Sequence, residues 1–200
     1  MDRRFIVTAG NVDLEAFLPQ YGNPTYPNFL TVTTDPDTGN SPATDFPMPD
    51  IFLRFATPDD APQISRFVAE LAKYEKLEHE VISSSEDFRK TLSDPNSNVE
   101  VLLAFWSGQP AGFALFFENF STFLGKPGLY LEDLFVQPEY RTRGIGTSLM
   151  TRLIEIAKER NYGRVEWAVL DWNEPAINFY QEKIGATLLD SWRICRLVME

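Results

Sequence analysis

From Ile51 onward the apolar residues fall into two alternating rhythms, one of strands and one of helices. Ile51–Phe55 is a short apolar run that predicts a strand. Thr57, Pro58, Asp59 and Asp60 then have the form of a capping box with proline at the first helical position. Ile64, Phe67, Val68 and Leu71 follow at helical spacing, which predicts a helix to about Glu80. Ser83 and Glu86 predict a second capped helix ending near Asp94. Val99–Trp106 and residues 112–120 predict a hairpin across Ser107 and Gly108. Residues 129–136 are rich in strand formers and bounded by Gly128 and Pro138. From Ile145 the positions Leu149, Met150, Leu153, Ile154 and Ala157 predict a long helix. Residues 164–170 predict a strand, Asn173 caps a helix through Lys183, and residues 186–188 and 192–198 predict two closing strands. Strands outnumber helices and two late connections are helical. The fold class is therefore α/β (α+β), a mixed sheet with helices on both faces.

The first fifty residues differ. They hold seven of the fourteen prolines and turn-forming clusters such as residues 34–40, which predicts an irregular Pro-rich arm over 1–50 ahead of a domain over 51–200. Phe5, Phe17, Tyr21, Tyr26 and Phe29 suit packing on its own domain or on a neighbouring subunit; a poorly ordered tail is the alternative.

Composition narrows the function. A length of 200 residues with 44% hydrophobic and 14% aromatic residues supports one sizeable core. A net charge of −11 argues against nonspecific nucleic-acid binding and favours cationic partners or plain solubility. The single histidine, His79, excludes a multi-histidine metal site or a histidine triad, and no metal is expected. The single cysteine, Cys195, cannot close an intrachain disulfide, which suits a reducing, cytoplasmic setting; as a side chain it is expected to be a buried thiol. No run reaches membrane-spanning length and no signal peptide is evident.

The strongest chemical signal is the loop between the 129–136 strand and the following helix. Arg141, Thr142, Arg143, Gly144, Ile145, Gly146 and Thr147 place glycines and positive charge where a helix begins. The first N–H groups of a helix lack partners and its dipole adds partial positive charge, so such a turn attracts a pyrophosphate. Gly144 and Gly146 could instead shape a tight turn alone, and the loop lacks the spacing of a dinucleotide fingerprint or a P-loop.

A second signal lies downstream in Asn173, Ala176, Ile177 and Tyr180, which share a helix face. With the first, it resembles the GNAT superfamily of acetyl-CoA-dependent N-acyltransferases, and more closely the spermidine/spermine (diamine) and thialysine N-acetyltransferases. The residues that carry the resemblance are LAKYE at 71–75, YLEDLFV at 130–136, YRTRGIG at 140–146 and WNEPAINFY at 172–180. It spans roughly residue 51 to the C-terminus and leaves the arm unplaced. The resemblance implies that the backbone of Leu134, Phe135 and Val136 pairs with the pantetheine arm of acetyl-CoA. It assigns the pyrophosphate to residues 142–147 and further acetyl-CoA contacts to Asn173, Glu174, Pro175 and Ala176. It makes Tyr180 the general acid and starts the acceptor pocket at Tyr74 and Glu75; Glu132, Glu166 and Asp190 are further carboxylates able to face a cationic amine, with Trp167 and Ala168 as neighbouring candidates for acceptor binding. A homodimer is also implied.

Chemistry is consistent with those roles. A tyrosine of ordinary pKa near 10 can protonate a departing thiolate, and Glu132, working through a water, is the candidate base. Packing under the helix for Tyr180, and a salt bridge or strand-end cap for Glu132, are the plain alternatives. Carboxylates around an apolar tunnel favour a small cationic amine, although an acidic helix end such as residues 75–80 is often only a solvated face. One departure from the family pattern stands out: four residues separate Tyr180 from Gly185 where three are usual, which a bulge at the helix end would absorb. The expected activity is direct transfer of acetyl to a primary amine of a small diamine, polyamine or thialysine-like acceptor. An amino acid or protein lysine as acceptor, or a non-catalytic acyl-CoA-binding regulator, are the alternatives.

Overall fold

The computed structural model describes residues 50–199, so the irregular arm expected over 1–50 lies, Asp50 apart, outside the described residues. The elements are β1 (Ile51–Phe55), α1 (Ala61–Glu75), α2 (Ser85–Ser93), β2 (Val99–Trp106), β3 (Gln109–Ser121), β4 (Lys126–Val136), α3 (Ile145–Glu159), β5 (Val165–Trp167) and α4 (Glu174–Asn178), the last running into a π-helical turn at Phe179–Ile184. The five strands form one sheet in sequence order. Neighbours from β1 to β4 pair antiparallel, and β5 returns parallel to β4 after the α3 crossover. Two cores flank the sheet. Ile64 and Phe67 of α1 pack with Phe113 and Phe135 on one face, while Leu149, Met150 and Leu153 of α3 pack with Leu129 and Leu131 on the other. The expected mixed sheet with helices on both faces is what forms.

Local chemistry sets most boundaries. The β2–β3 hairpin turns on Ser107 and Gly108, both at positive φ (47° and 78°), the geometry that matches strand twist. The Thr57–Asp60 capping box forms as expected but opens a single 3₁₀ turn before α1. Helix α1 stops at Glu75, short of the predicted Glu80. Lys76 adopts the left-handed conformation (φ 63°) and Leu77 N–H returns to the Ala72 carbonyl at 2.8 Å, which closes the helix end. The second capping box is Ser84 with Asp87, one residue later than Ser83 with Glu86, and that register lets Phe88 and Leu92 of α2 face the core.

The largest departures are at the C-terminus. Strand β5 keeps only three residues of the predicted seven, and residues 186–199 form no strand. Leu189, Trp192, Ile194, Leu197 and Val198 are exposed there, as is Cys195, so the expected buried thiol is an accessible one. The apolar alternation that suggested strands is real, but the described residues offer it no ladder partner.

One irregularity positions everything that follows. In the β3–β4 pairing Phe116 faces Leu131 and Leu115 faces Asp133, so Glu132 is an extra residue, a β-bulge. Before it, Leu129 and Leu131 point toward α3; after it, Phe135 points toward α1 and Leu134 and Val136 toward α3. The bulge therefore puts Asp133 on the α1 face. Among the described residues no helix is long and apolar enough to cross a membrane, and no group of three or more His, Cys, Asp or Glu side chains is arranged as a metal site.

The α1–sheet seam depends on Phe67, fully buried and stacked on Phe113 with centroids 5.6 Å apart. Phe67→Ala should lower the unfolding free energy by about 3–5 kcal/mol. A urea denaturation midpoint shifted by an amount worth less than about 1 kcal/mol would show that this seam is not where the domain is held together.

Candidate active site

The site opens where the sheet comes apart. Pairing between β4 and β5 ends at Leu131 with Trp167, yet β4 runs on to Val136. Leu134, Phe135 and Val136 thus keep β3 on one side and lie beyond the end of β5 on the other. A splayed strand edge presents main-chain donors and acceptors to an extended, amide-bearing ligand.

At the mouth of that opening stands the start of α3. Gly144 is its N-cap at φ 85°, a conformation that strains any side chain. The first intrahelical bond runs from Ser148 N–H to the Gly144 carbonyl at 2.9 Å, so the N–H groups of Ile145, Gly146 and Thr147 have no intrahelical acceptor. The first turn contains no acidic residue, in a chain whose net charge is −11. These residues fit a phosphate-bearing cosubstrate. The two arginines do not serve it equally. Arg143 lies over the Trp106 ring at 4.9 Å, while Arg141 turns inward, donating from Nε to the Val136 carbonyl at 3.0 Å with its guanidinium 4.7 Å from the Tyr74 ring. Arg141 is thus a bolt for the loop rather than the free positive charge expected from sequence.

Asn173 is buried and caps α4, accepting from Ala176 N–H at 3.4 Å; Glu174 and Pro175 are exposed and Ala176 is half-buried beside them. The π-turn after α4 explains the extra residue before Gly185. A π-turn holds one residue more than an α-turn, and it closes at Gly185 (φ 77°), with Ala186 N–H reaching the Tyr180 carbonyl at 2.9 Å. Tyr180, at the start of that turn, is buried at 8% exposure, with the Trp167 ring edge-on at 5.0 Å. Burial first, and then the Glu75 charge, push its pKa up to about 12. Tyr180 therefore keeps its proton throughout the neutral range, more firmly than an ordinary phenol.

Three carboxylates act on this region, and they are not equivalent. Asp133 is pushed up to about 6, first by burial and then by the charges of Glu132 and Glu75. Glu75, at the last turn of α1, is itself raised by burial. Glu132, carried on the bulge, is exposed. Asp133 was not among the residues singled out from sequence; the adjacent acidic pair was visible, but which member turns inward depends on the bulge. The other acceptor-pocket residues divide. Trp167 packs on Tyr180, Ala168 is exposed just past β5, and Glu166 is held by Arg164 at 2.8 Å. Asp190 sits on an exposed turn, and no contact brings it to the others. Tyr74 reaches Asn173 instead of the carboxylates, its hydroxyl 3.0 Å from Asn173 Oδ1. Of the acidic stretch 75–80, Glu75 faces inward while Glu78, His79 and Glu80 are solvated.

The profile of the Acetyltransferase (GNAT) family matches residues 65–186. An L-ornithine N5-acetyltransferase of Arabidopsis thaliana is 34% identical over 190 residues, covering 72% of this chain and 83% of that protein. A thialysine N-epsilon-acetyltransferase of Caenorhabditis elegans is 36% identical over 143 residues, covering 70% and 88%. Among solved structures, an integron cassette protein from the mobile metagenome of V. cholerae superposes with a TM-score of 0.63 at 26% identity, covering 76% of this chain and 94% of that one.

Asp133 gives a pH signature. Its folded pKa, about 6, lies above the ordinary aspartate value of 3.8, so the native state binds more protons between those values and stability falls as pH rises through that window. Above the window the loss amounts to about 3 kcal/mol at most. Asp133→Asn should accordingly be more stable than the parent at pH 7.5 by about 1–3 kcal/mol, with the difference shrinking toward pH 4. Urea titrations at both pH values check this; equal stabilities at pH 7.5 would show that the carboxylate is not strained.

Proposed function

Since the chain belongs to the acetyltransferase (GNAT) family and is an N-acetyltransferase of amine substrates, we propose that it moves acetyl from acetyl-CoA directly to a primary amine of a small diamine-like acceptor. Acetyl-CoA would supply the acetyl group as an activated thioester. The unpaired N–H groups of Ile145, Gly146 and Thr147, with Thr142, Arg143 and Gly144 before them, would hold its pyrophosphate. The free edge of Leu134, Phe135 and Val136 would take its pantetheine amides, and the 173–176 turn would complete the cosubstrate side.

The observation that carries the mechanism is that the Glu75 charge bears on both a half-buried carboxylate, Asp133, and a buried phenol, Tyr180, which have opposite tasks. An amine arrives protonated and must lose a proton to attack. Asp133, near 6, is ionised at pH 7.5 and takes a proton roughly a hundredfold more readily than an unperturbed aspartate. Glu132 on the bulge and Glu75 on α1 keep that proton affinity high, and their charge draws in a cationic acceptor. Tyr180, near 12, is a reservoir of O–H rather than a strong acid. Complete proton transfer from it to a thiolate of pKa about 8.5 is uphill, so its contribution is a hydrogen bond to charge developing on the leaving sulfur. The balance closes with one proton released: the C–N bond forms as the thioester C–S bond breaks, and the ammonium nitrogen loses two protons, one passing through Asp133 to solvent and one ending on the departing thiolate.

The acceptor class follows from charge. L-ornithine and thialysine, the acceptors in the relatives' names, each carry a second amino group besides the one acetylated. A region bearing Glu75, Glu132 and Asp133 suits that second cation. A homodimer belongs to the same proposal, supported by the exposed apolar side chains of residues 189–198; a cytoplasmic setting is supported by the unpaired Cys195. Because Cys195 is exposed near the C-terminus, it gives no support for an acetyl-cysteine relay.

The test is CoA-thiol release from acetyl-CoA with thialysine, ornithine, spermidine, putrescine and a lysine-containing peptide. Turnover should be fastest with a small diamine-like acceptor; preference for the peptide would overturn the acceptor class. In the same assay Tyr180→Phe should lower kcat by roughly 10²- to 10³-fold, with acetyl-CoA affinity nearly unchanged. An unaltered kcat would remove Tyr180 from the chemistry. Gly144→Asp should weaken acetyl-CoA binding by at least about tenfold, through strain at positive φ and a negative charge at the helix start. Intact binding would move the pyrophosphate elsewhere.

A further inference from the structure

Tyr74 stands at the last turn of α1, one residue before Glu75, yet its contacts all lead away from the carboxylates. Its hydroxyl meets Asn173 Oδ1 at 3.0 Å, its ring lies 4.7 Å from the Arg141 guanidinium, and the Trp172 ring is 6.1 Å away. These partners belong to the two loops assigned above to acetyl-CoA. Arg141 in turn ties the first loop to the end of β4 through the Val136 carbonyl, at 3.0 Å.

The direction of the Tyr74–Asn173 bond follows from elementary chemistry. Asn173 Oδ1 also accepts from Ala176 N–H, which can only donate, so the oxygen end of the amide must face α4. Tyr74 must then be the donor. Its proton locks the amide in one flip state, with Nδ2 directed away from the cap. The same ring holds Arg141 beside the loop that precedes α3, where Thr142 (φ 62°) and Gly144 (φ 85°) leave the chain with little regular structure of its own to hold it. One side chain on α1 thereby clamps the phosphate loop and the α4 cap together.

We propose that Tyr74 is a positioning residue for the acetyl-CoA site, acting through Asn173 and Arg141 rather than by contact with the acceptor. This rests on the transferase reading above and sharpens it, because consecutive residues of α1 then divide the work: Tyr74 organises the cosubstrate side and Glu75 the acceptor side.

The test is two-substrate kinetics on the full chain with thialysine as acceptor, together with calorimetric acetyl-CoA Kd, for the parent, Tyr74→Phe, Asn173→Ala and the double variant. Tyr74→Phe keeps the ring over Arg141 and loses the hydroxyl alone. It should raise acetyl-CoA KM and Kd about 3- to 10-fold while acceptor KM and kcat stay within about twofold. The double variant should bind acetyl-CoA no more weakly than Asn173→Ala alone, since both changes break one interaction. A rise in acceptor KM with acetyl-CoA affinity unchanged would overturn the proposal, as would fully additive losses. A parent protein that binds acetyl-CoA without acetylating any amine would defeat the transferase reading instead, and the Kd series would still decide the role of Tyr74. A parent protein that does not bind acetyl-CoA overturns both.

Discussion

The proposed chemistry depends on one extra residue in a strand. An unbroken β4 would put Asp133 on the α3 face with Leu129 and Leu131, in the driest part of the sheet's packing. The bulge at Glu132 reverses the parity, leaves Glu132 in solvent and turns Asp133 toward the end of α1, where Glu75 waits. It lies where β5 stops pairing with β4, so the same few residues also set the main-chain edge that opens between the strands. A carboxylate whose ionisation is opposed by burial and by two like charges is costly to keep. Its cost is tolerable because the stacked Phe67 and Phe113 and the α3 core supply the stability around it.

Charge is sorted across the site rather than spread over it. The protein is acidic as a whole, yet the first turn of α3 carries no acid, and the inward carboxylates are gathered near α1 and the bulge. In the proposed reading an anionic cosubstrate and a cationic acceptor would be drawn to different ends of one opening. Aromatic rings divide those ends: Tyr74 and Trp172 on the loop side, Trp167 and Tyr180 toward the sheet. Burial penalises the charged form of each group, and neighbouring carboxylates add to that penalty, which is why Tyr180 holds its proton and Asp133 seeks one.

Much of this was legible in the sequence, for reasons that differ by element. The hairpin at Ser107 and Gly108, the loop at Gly144 and the cap at Asn173 are local devices, decided by residues adjacent to one another. Tyr180 survives the extra residue before Gly185 because a π-turn absorbs it. What could not be read is what depends on partners far along the chain. The inward turn of Asp133 requires the β3–β4 pairing to pass over Glu132, and the contact of Glu166 with Asn119 of β3 joins positions 47 apart. Tyr74 meets a partner 99 positions away, so its contact with Asn173 leaves no local trace. The closing strands failed for a related reason: alternation states that a segment can be a strand, while a strand also needs a neighbour.

The most direct measurement is the titration of the Asp133 carboxyl by carbon-detected NMR, its resonance assigned by loss in Asp133→Asn. An inflection near pH 6 in the free protein, falling when a diamine is added, is the predicted result. An inflection near pH 4, unmoved by the amine, would contradict the placement of the proton acceptor and with it the role given to the bulge.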